Sequence, residues 1–265
     1  MKLLKTLAAA AVFGVASFAS NATVINVGGV MWDKDYAGAE ADLNGSFGKI
    51  TQQIDANGTV SGLGVLATMN GTGAGIYCPG CQLTFAYGGF TPVSGNSVPV
   101  AGQIGQTIDY TGGWLKIYVD YSNDINPNDA GSLTYANTTN GSLWLSLVGH
   151  SINGVSLTGI NATMATGPNS FIGSLIGNGQ FDVVKNQGLA WWHLDTNTRQ
   201  DGSDLSFSNS FTNLTYQKVG NLIVPVFGTG TGTYTGDTIP EPSSLAVLGL
   251  GLIGLAGMAR RKKSA

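Results

Sequence analysis

Apolar and polar residues alternate with a period of two along most of this chain, and its central part contains no convincing run with the 3.6-residue period of an amphipathic helix. In Gly113–Asp120, one face carries Leu115, Ile117 and Val119 and the other carries Trp114, Lys116, Tyr118 and Asp120, which predicts a half-buried strand. Ser142–Leu147 repeats the scheme with Leu143, Leu145 and Leu147 inward. Leu205–Phe211 does so with Leu205, Phe207, Asn209 and Phe211. Further strands are expected near 23–32, 47–54, 59–68, 82–87, 154–160, 170–176, 180–185, 213–219 and 222–228. Asn57-Gly58, Asn70-Gly71, Asn140-Gly141 and Asn153-Gly154 separate them as turn signals at hairpin spacing. Many short strands with regular turns predict an all-β body, an antiparallel sandwich or jelly-roll-like fold.

Both ends break this pattern. Met1–Lys5 is a short basic segment, Leu7–Phe18 is apolar, and Ser20-Asn21-Ala22 is a small-x-small site. Together they read as a secretory signal peptide over 1–22, cut after Ala22 by signal peptidase once the secretion machinery has engaged it. At the other end, Pro240-Glu241-Pro242 precedes the uncharged stretch Leu245–Ala259, and Arg260, Arg261, Lys262 and Lys263 follow. Those 15 apolar residues make a helix of about 22 Å, short of the ~30 Å hydrocarbon core, a mismatch that local thinning and snorkelling can cover. The basic cluster keeps the C-terminus cytoplasmic and the body on the far side of the membrane.

The order of motif, apolar helix and basic cluster over 240–265 resembles the PEP-CTERM sorting signal of Gram-negative bacteria. Ile239 stands where that family more often has Val. The resemblance implies a transient hold in the inner membrane, processing by an exosortase that recognises Pro240, Glu241 and Pro242, and release or attachment at the surface of a cell that makes extracellular polysaccharide. A sortase signal would need a Leu-Pro-x-Thr-Gly motif, which the chain lacks, and a GPI signal would not end in cations.

Without the two sorting segments the body carries six cations and fourteen anions, a net charge of −8. That disfavours nucleic acid and anionic lipid as partners and suits neutral glycans or divalent cations. Trp114, Tyr118, Trp144, Phe181, Trp191, Trp192, Phe207 and Phe211 argue for a packed body over 23–227. Gly228–Asp237, alternating Gly and Thr, reads as part of a flexible spacer over 228–239, or as a last strand with Thr229, Thr231, Thr233 and Thr235 on one face.

Candidate chemistry is sparse. Cys78-Pro79-Gly80-Cys81 places Pro and Gly where a type II turn needs them. The ends of such a turn are close enough for a local disulfide, whereas a redox role would need a βαβ setting. Asp124, Asn126, Asn128 and Asp129 could offer oxygens to Ca²⁺, or form an Asx-rich turn; the EF-hand pattern fails at Asp129 and Tyr135. Trp191-Trp192 on a strand would point to opposite faces, one packing and the other free to stack on a sugar. With two histidines, one body glutamate (Glu40) and no Gly-x-Ser-x-Gly or His-Glu-x-x-His motif, a non-enzymatic role is expected, and no catalytic residue or other cofactor is assigned. The expectation is an exported structural or adhesive protein of a polysaccharide biofilm or floc. The alternative is a secreted glycan-binding or glycan-active protein, whose hydrolase form would need a pair of carboxylates converging in a cleft.

Overall fold

The computed structural model describes residues 24–36, 41–55, 57–93, 105–126, 129–161, 164–167, 170–172, 175–219 and 222–239. Fourteen strands are described: β1 (Val24–Val27), β2 (Val30–Asp33), β3 (Leu43–Ile54), β4 (Val60–Met69), β5 (Thr72–Gly73), β6 (Gln82–Pro92), β7 (Gln106–Asp120), β8 (Ser142–Gly149), β9 (Leu157–Asn161), β10 (Met164–Gly167), β11 (Ser170–Ile172), β12 (Leu175–Val183), β13 (Leu205–Val219) and β14 (Leu222–Gly236). Three single-turn helices interrupt them: α1 (Ala74–Tyr77), α2 (Tyr135–Thr139) and α3 (Trp191–Leu194).

The body is all-β and antiparallel, as the alternation predicts, but its main sheet closes on itself. β3, β4, β6, β7, β8, β12, β13 and β14 pair in that order, and β14 returns to β3. The result is an eight-stranded up-and-down barrel rather than the expected sandwich or jelly roll. Closure rests on β12, which pairs with β8 through Phe181–Val183 and with β13 through Leu175–Phe181. β8 is too short to span the wall. β9 takes over its place, pairing Leu157–Asn161 with both the first half of β7 and the first half of β12.

Alternation fills the interior. Leu115, Ile117 and Val119 of β7 are buried, as are Leu205, Phe207 and Phe211 of β13. Trp144 and Ser146 on the other face of β8 are buried too. The N-terminal hairpin covers that face: Trp144 Nε1 donates to the Val27 carbonyl at 3.1 Å, and the Trp32 and Trp144 rings meet edge to face at 5.6 Å. Inside the barrel, Phe47 packs on Phe85 and Phe207, and Phe181 on Phe90 and Phe207, with centroids 4.8–5.9 Å apart.

Glycines on the inner wall make room for these rings. Tyr87 of β6 reaches across Gly62 of β4 to donate to the Thr51 carbonyl on β3 at 3.2 Å. A Cβ on Gly62 would lie 2.4 Å from the Tyr87 hydroxyl. Tyr234 of β14 likewise crosses Gly45 of β3 to donate to the Thr68 carbonyl on β4 at 2.9 Å. Large and small residues on adjacent strands thus interlock, which lets a narrow barrel fill with rings.

The Gly/Thr run is no spacer. Residues 228–236 form the second half of β14, paired with β13 on one side and β3 on the other. Gly232 is needed there for close approach, because a Cβ would sit 2.4 Å from the Ser208 carbonyl. Thr229, Thr231, Thr233 and Thr235 do share the outer face, opposite Thr212, Ser210, Ser208 and Ser206 of β13.

Among the described residues, no helix is long and apolar enough to cross a membrane. The expected span 245–259, the signal peptide with Ala22, Pro240–Pro242 and Arg260–Lys263 lie outside the described residues.

Candidate functional site

Three places in the body concentrate chemistry. The first is the barrel lumen, at the end where β3 turns into β4 and where β6, β9 and β13 finish. It holds a cavity of ≈ 60 Å³ walled by Phe85, Phe90, Phe181, Phe207 and Phe211 and by several aliphatic side chains. Gly159 of β9 and Gly177 and Gly179 of β12 leave one wall without side chains. Besides Tyr87, whose hydroxyl donates to the Thr51 carbonyl, three polar side chains line this space: Gln52 of β3, Tyr110 of β7 and Asn209 of β13. Burial pushes the Tyr110 phenol above its ordinary value, so it stays protonated. Among the described residues, no carboxylate, histidine or cysteine lines the cavity.

The second place is the opposite end, where long loops gather. Asp204, almost fully buried, accepts from the backbone N–H of Val183 at 2.7 Å and from those of Thr196 and Asn197 at 2.6 Å each. It fixes the segment after α3 to the barrel wall. Burial raises its carboxyl above the ordinary value, and the three N–H donors pull the other way without cancelling it. Nearby, His150 Nδ1 lies 2.8 Å from Asp182, and His150 Nε2 lies 3.0 Å from the Asp201 carbonyl. Burial pushes the Asp201 carboxyl up, but the hydroxyl and N–H of Ser203, with the charges of His150 and Arg199, bring it below its ordinary value.

Trp191 and Trp192 belong to this end. They occupy α3, not a strand, so their side chains do not alternate across a sheet. Trp191 is half-buried. Trp192 is 37% exposed and lies over the ring of buried His193, centroids 3.6 Å apart. His193 in turn meets Trp32 edge to face at 5.6 Å. The backbone of β14 ends against the same helix, with Thr238 buried and the Ile239 N–H bonded to the His193 carbonyl.

The third place is the pair of loops around the cysteines and the acidic segment. Cys78 and Cys81 lie at disulfide distance, with Cα atoms 5.2 Å apart. The Cys81 N–H donates to the Cys78 carbonyl at 3.0 Å, and Gly80 has φ +78°, the turn that Pro79-Gly80 predicts. The acidic residues do not converge. Asp129 accepts from the Gly131 N–H at 2.9 Å and caps a 3-10 turn over Ala130–Ser132. Asp124 accepts from Asn140 Nδ2 at 2.9 Å, and Asn128 lies outside the described residues. Among the described residues, no group of three His, Cys, Asp or Glu could hold a metal ion. The loop instead covers apolar surface, with Ile125 and Leu133 buried against Val65 and Leu63 on the outside of β4.

The outer face of β13 and β14 is a lattice of hydroxyls. Ser206, Ser208, Ser210 and Thr212 stand opposite Thr235, Thr233, Thr231 and Thr229. With apolar side chains inside and hydroxyls outside, this wall is the reverse of one that meets lipid.

Sequence reasoning missed the lumen, because the three polar groups come from strands far apart in the chain. It also missed Asp204, since a single aspartate in a loop carries no signal of the donors that will surround it. The only inward polar position legible beforehand was Asn209, from the alternation of Leu205–Phe211.

Residues 238–262 match the PEP-CTERM protein-sorting motif. No curated protein and no solved structure matches the chain.

Proposed function

We propose that this chain is a passive component of an extracellular polysaccharide matrix: a barrel exported to the cell surface, separated from its tail by an exosortase, and serving there in adhesion or as structural filler. The observation that carries the reading is the sorting motif at 238–262, which starts two residues after the last strand of the barrel ends. Export and exosortase processing are what that motif implies. The matrix role is supported by the acidic body, which suits neutral glycans, and by the hydroxyl-bearing outer face of β13 and β14, whose Ser and Thr side chains both donate and accept hydrogen bonds.

The test has two arms. Cells without the exosortase should accumulate a longer, membrane-retained form, while cells with it yield the shorter form. Deletion of the gene should reduce floc or biofilm cohesion and change the protein content of the matrix. Wild-type aggregation together with unchanged matrix composition would overturn the structural role.

A second reading, glycan binding, is favoured by the exposed Trp192 ring. On that reading Trp192→Ala should abolish retention on the cell's own polysaccharide while the fold is kept. Unchanged retention would remove this reading.

A further inference from the structure

We propose that the open half of the barrel lumen is a binding site for a small neutral ring compound carrying a hydrogen-bonding group. Three observations point the same way. The cavity of ≈ 60 Å³ has room for more than one water and is open on one side, so a small ring can enter it in part. Its walls are aromatic and aliphatic. Its polar groups are few, convergent and unused: neither Gln52, Tyr110 nor Asn209 has a side-chain hydrogen-bond partner among the described residues.

Gln52 is 9% exposed and Tyr110 is 4% exposed. A polar group that faces such a space without a protein partner carries a desolvation penalty unless something in the cavity pairs with it, and apolar residues would fit a barrel interior without that need. A ligand that supplies the missing partners removes the penalty, which is how apolar pockets use a few polar groups to orient their occupants. The amides offer both donors and acceptors, and the phenol, held protonated by burial, offers one of each. No charged side chain faces the cavity, so a charged ligand would lose its hydration without compensation.

The glycines keep the space open. A Cβ on Gly159 would come no nearer than 3.6 Å to Tyr110, so a side chain fits there and the position is empty by residue choice rather than by steric need. Gly177 differs, because the Asn209 amide lies over it, 2.7 Å from where a Cβ would be.

The probes are phenol, toluene and benzoate, titrated by calorimetry and by amide chemical shifts into the protein as its cells export it. Phenol should bind saturably at one site, and benzoate at least ten-fold more weakly. Gly159→Val, which fills the lumen, should weaken phenol at least ten-fold. Asn209→Leu should raise the thermal midpoint and weaken phenol at least three-fold while leaving toluene unchanged or tighter. This variant also serves if Gly159→Val does not fold. A folded wild-type protein that shows no saturable phenol binding has a lumen that holds only water, and the proposal fails. It fails equally if benzoate binds as well as phenol, or if folded Gly159→Val or Asn209→Leu leaves phenol affinity unchanged.

Discussion

The backbone N–H of Ile239 donates to the carbonyl oxygen of His193 at 2.7 Å. The chain is therefore still anchored one residue before Pro240, the first residue of the processing motif, and no spacer separates the two. On the processing proposed above, cleavage in this region would work next to a chain position that is still anchored to the barrel. Inserting six Gly/Ser residues between Ile239 and Pro240 should speed conversion of precursor to mature form several-fold in a pulse-chase. Equal rates would mean that the barrel does not limit access.

Asp204 ties three backbone donors together at the same end. Asp204→Ala leaves the N–H groups of Val183, Thr196 and Asn197 without their acceptor and should cost about 3 kcal/mol in urea unfolding. The sign of the pH effect follows from the raised carboxyl. Folding favours its neutral form, so this group adds stability as pH falls from its raised folded value toward the ordinary 3.8, and the gain is lost again as pH rises. Asp204→Asn should flatten that part of the stability–pH curve, and an unchanged curve would refute the assignment.

The Cys78–Cys81 pair closes a loop too small to restrict the unfolded chain much. Thiol titration of the unreduced, denatured protein should find no free thiol. Replacing both cysteines with Ala should cost about 2 kcal/mol by loop-closure entropy, measured as a shift in the urea midpoint.

The rings laid across inner-wall glycines predict a graded pair of effects. Tyr87→Phe removes one hydrogen bond to Thr51 and should cost about 1 kcal/mol. Gly62→Ala forces a Cβ to within 1.9 Å of the Thr51 carbonyl and 2.4 Å of the Tyr87 hydroxyl. It should cost about 3 kcal/mol or more, because backbone on one side and a buried ring on the other leave nowhere to move. Similar costs for the two variants would argue against the interlock.

The faces of β7 and β13 could be read from sequence because burial of one face leaves alternation as its direct trace. Closure could not, since sandwich and barrel share the same period of two. What separates them is the pairing of β12 with β8 and β13, set by register between distant segments. The aromatic pair Trp191-Trp192 suggested a strand through its composition, and packing of His193 against Trp32 accompanies a single helical turn there instead. The Gly/Thr run suggested flexibility for the reason that makes it rigid: its glycines let β13 and β14 approach closely. The lumen groups Gln52 and Tyr110 were illegible for the same reason as closure, because only the finished ring brings β3 and β7 to face one space.

The shared place of β8 and β9 in the wall has one further consequence. Between them, His150–Val155 leaves the ring and returns, with Ile152 and Val155 bridged and the turn at Asn153-Gly154 pointing into open space. Ladder bonds from His150 to Gln180 and from Ser156 to Tyr110 hold both flanks independently. The chain leaves the wall at this point while the ladder beside it continues from β8 to β9, so it can be cut or lengthened here without parting β8 or β9 from its neighbours. Asn153-Gly154 is thus where new termini, or a foreign epitope for display, would leave the barrel whole.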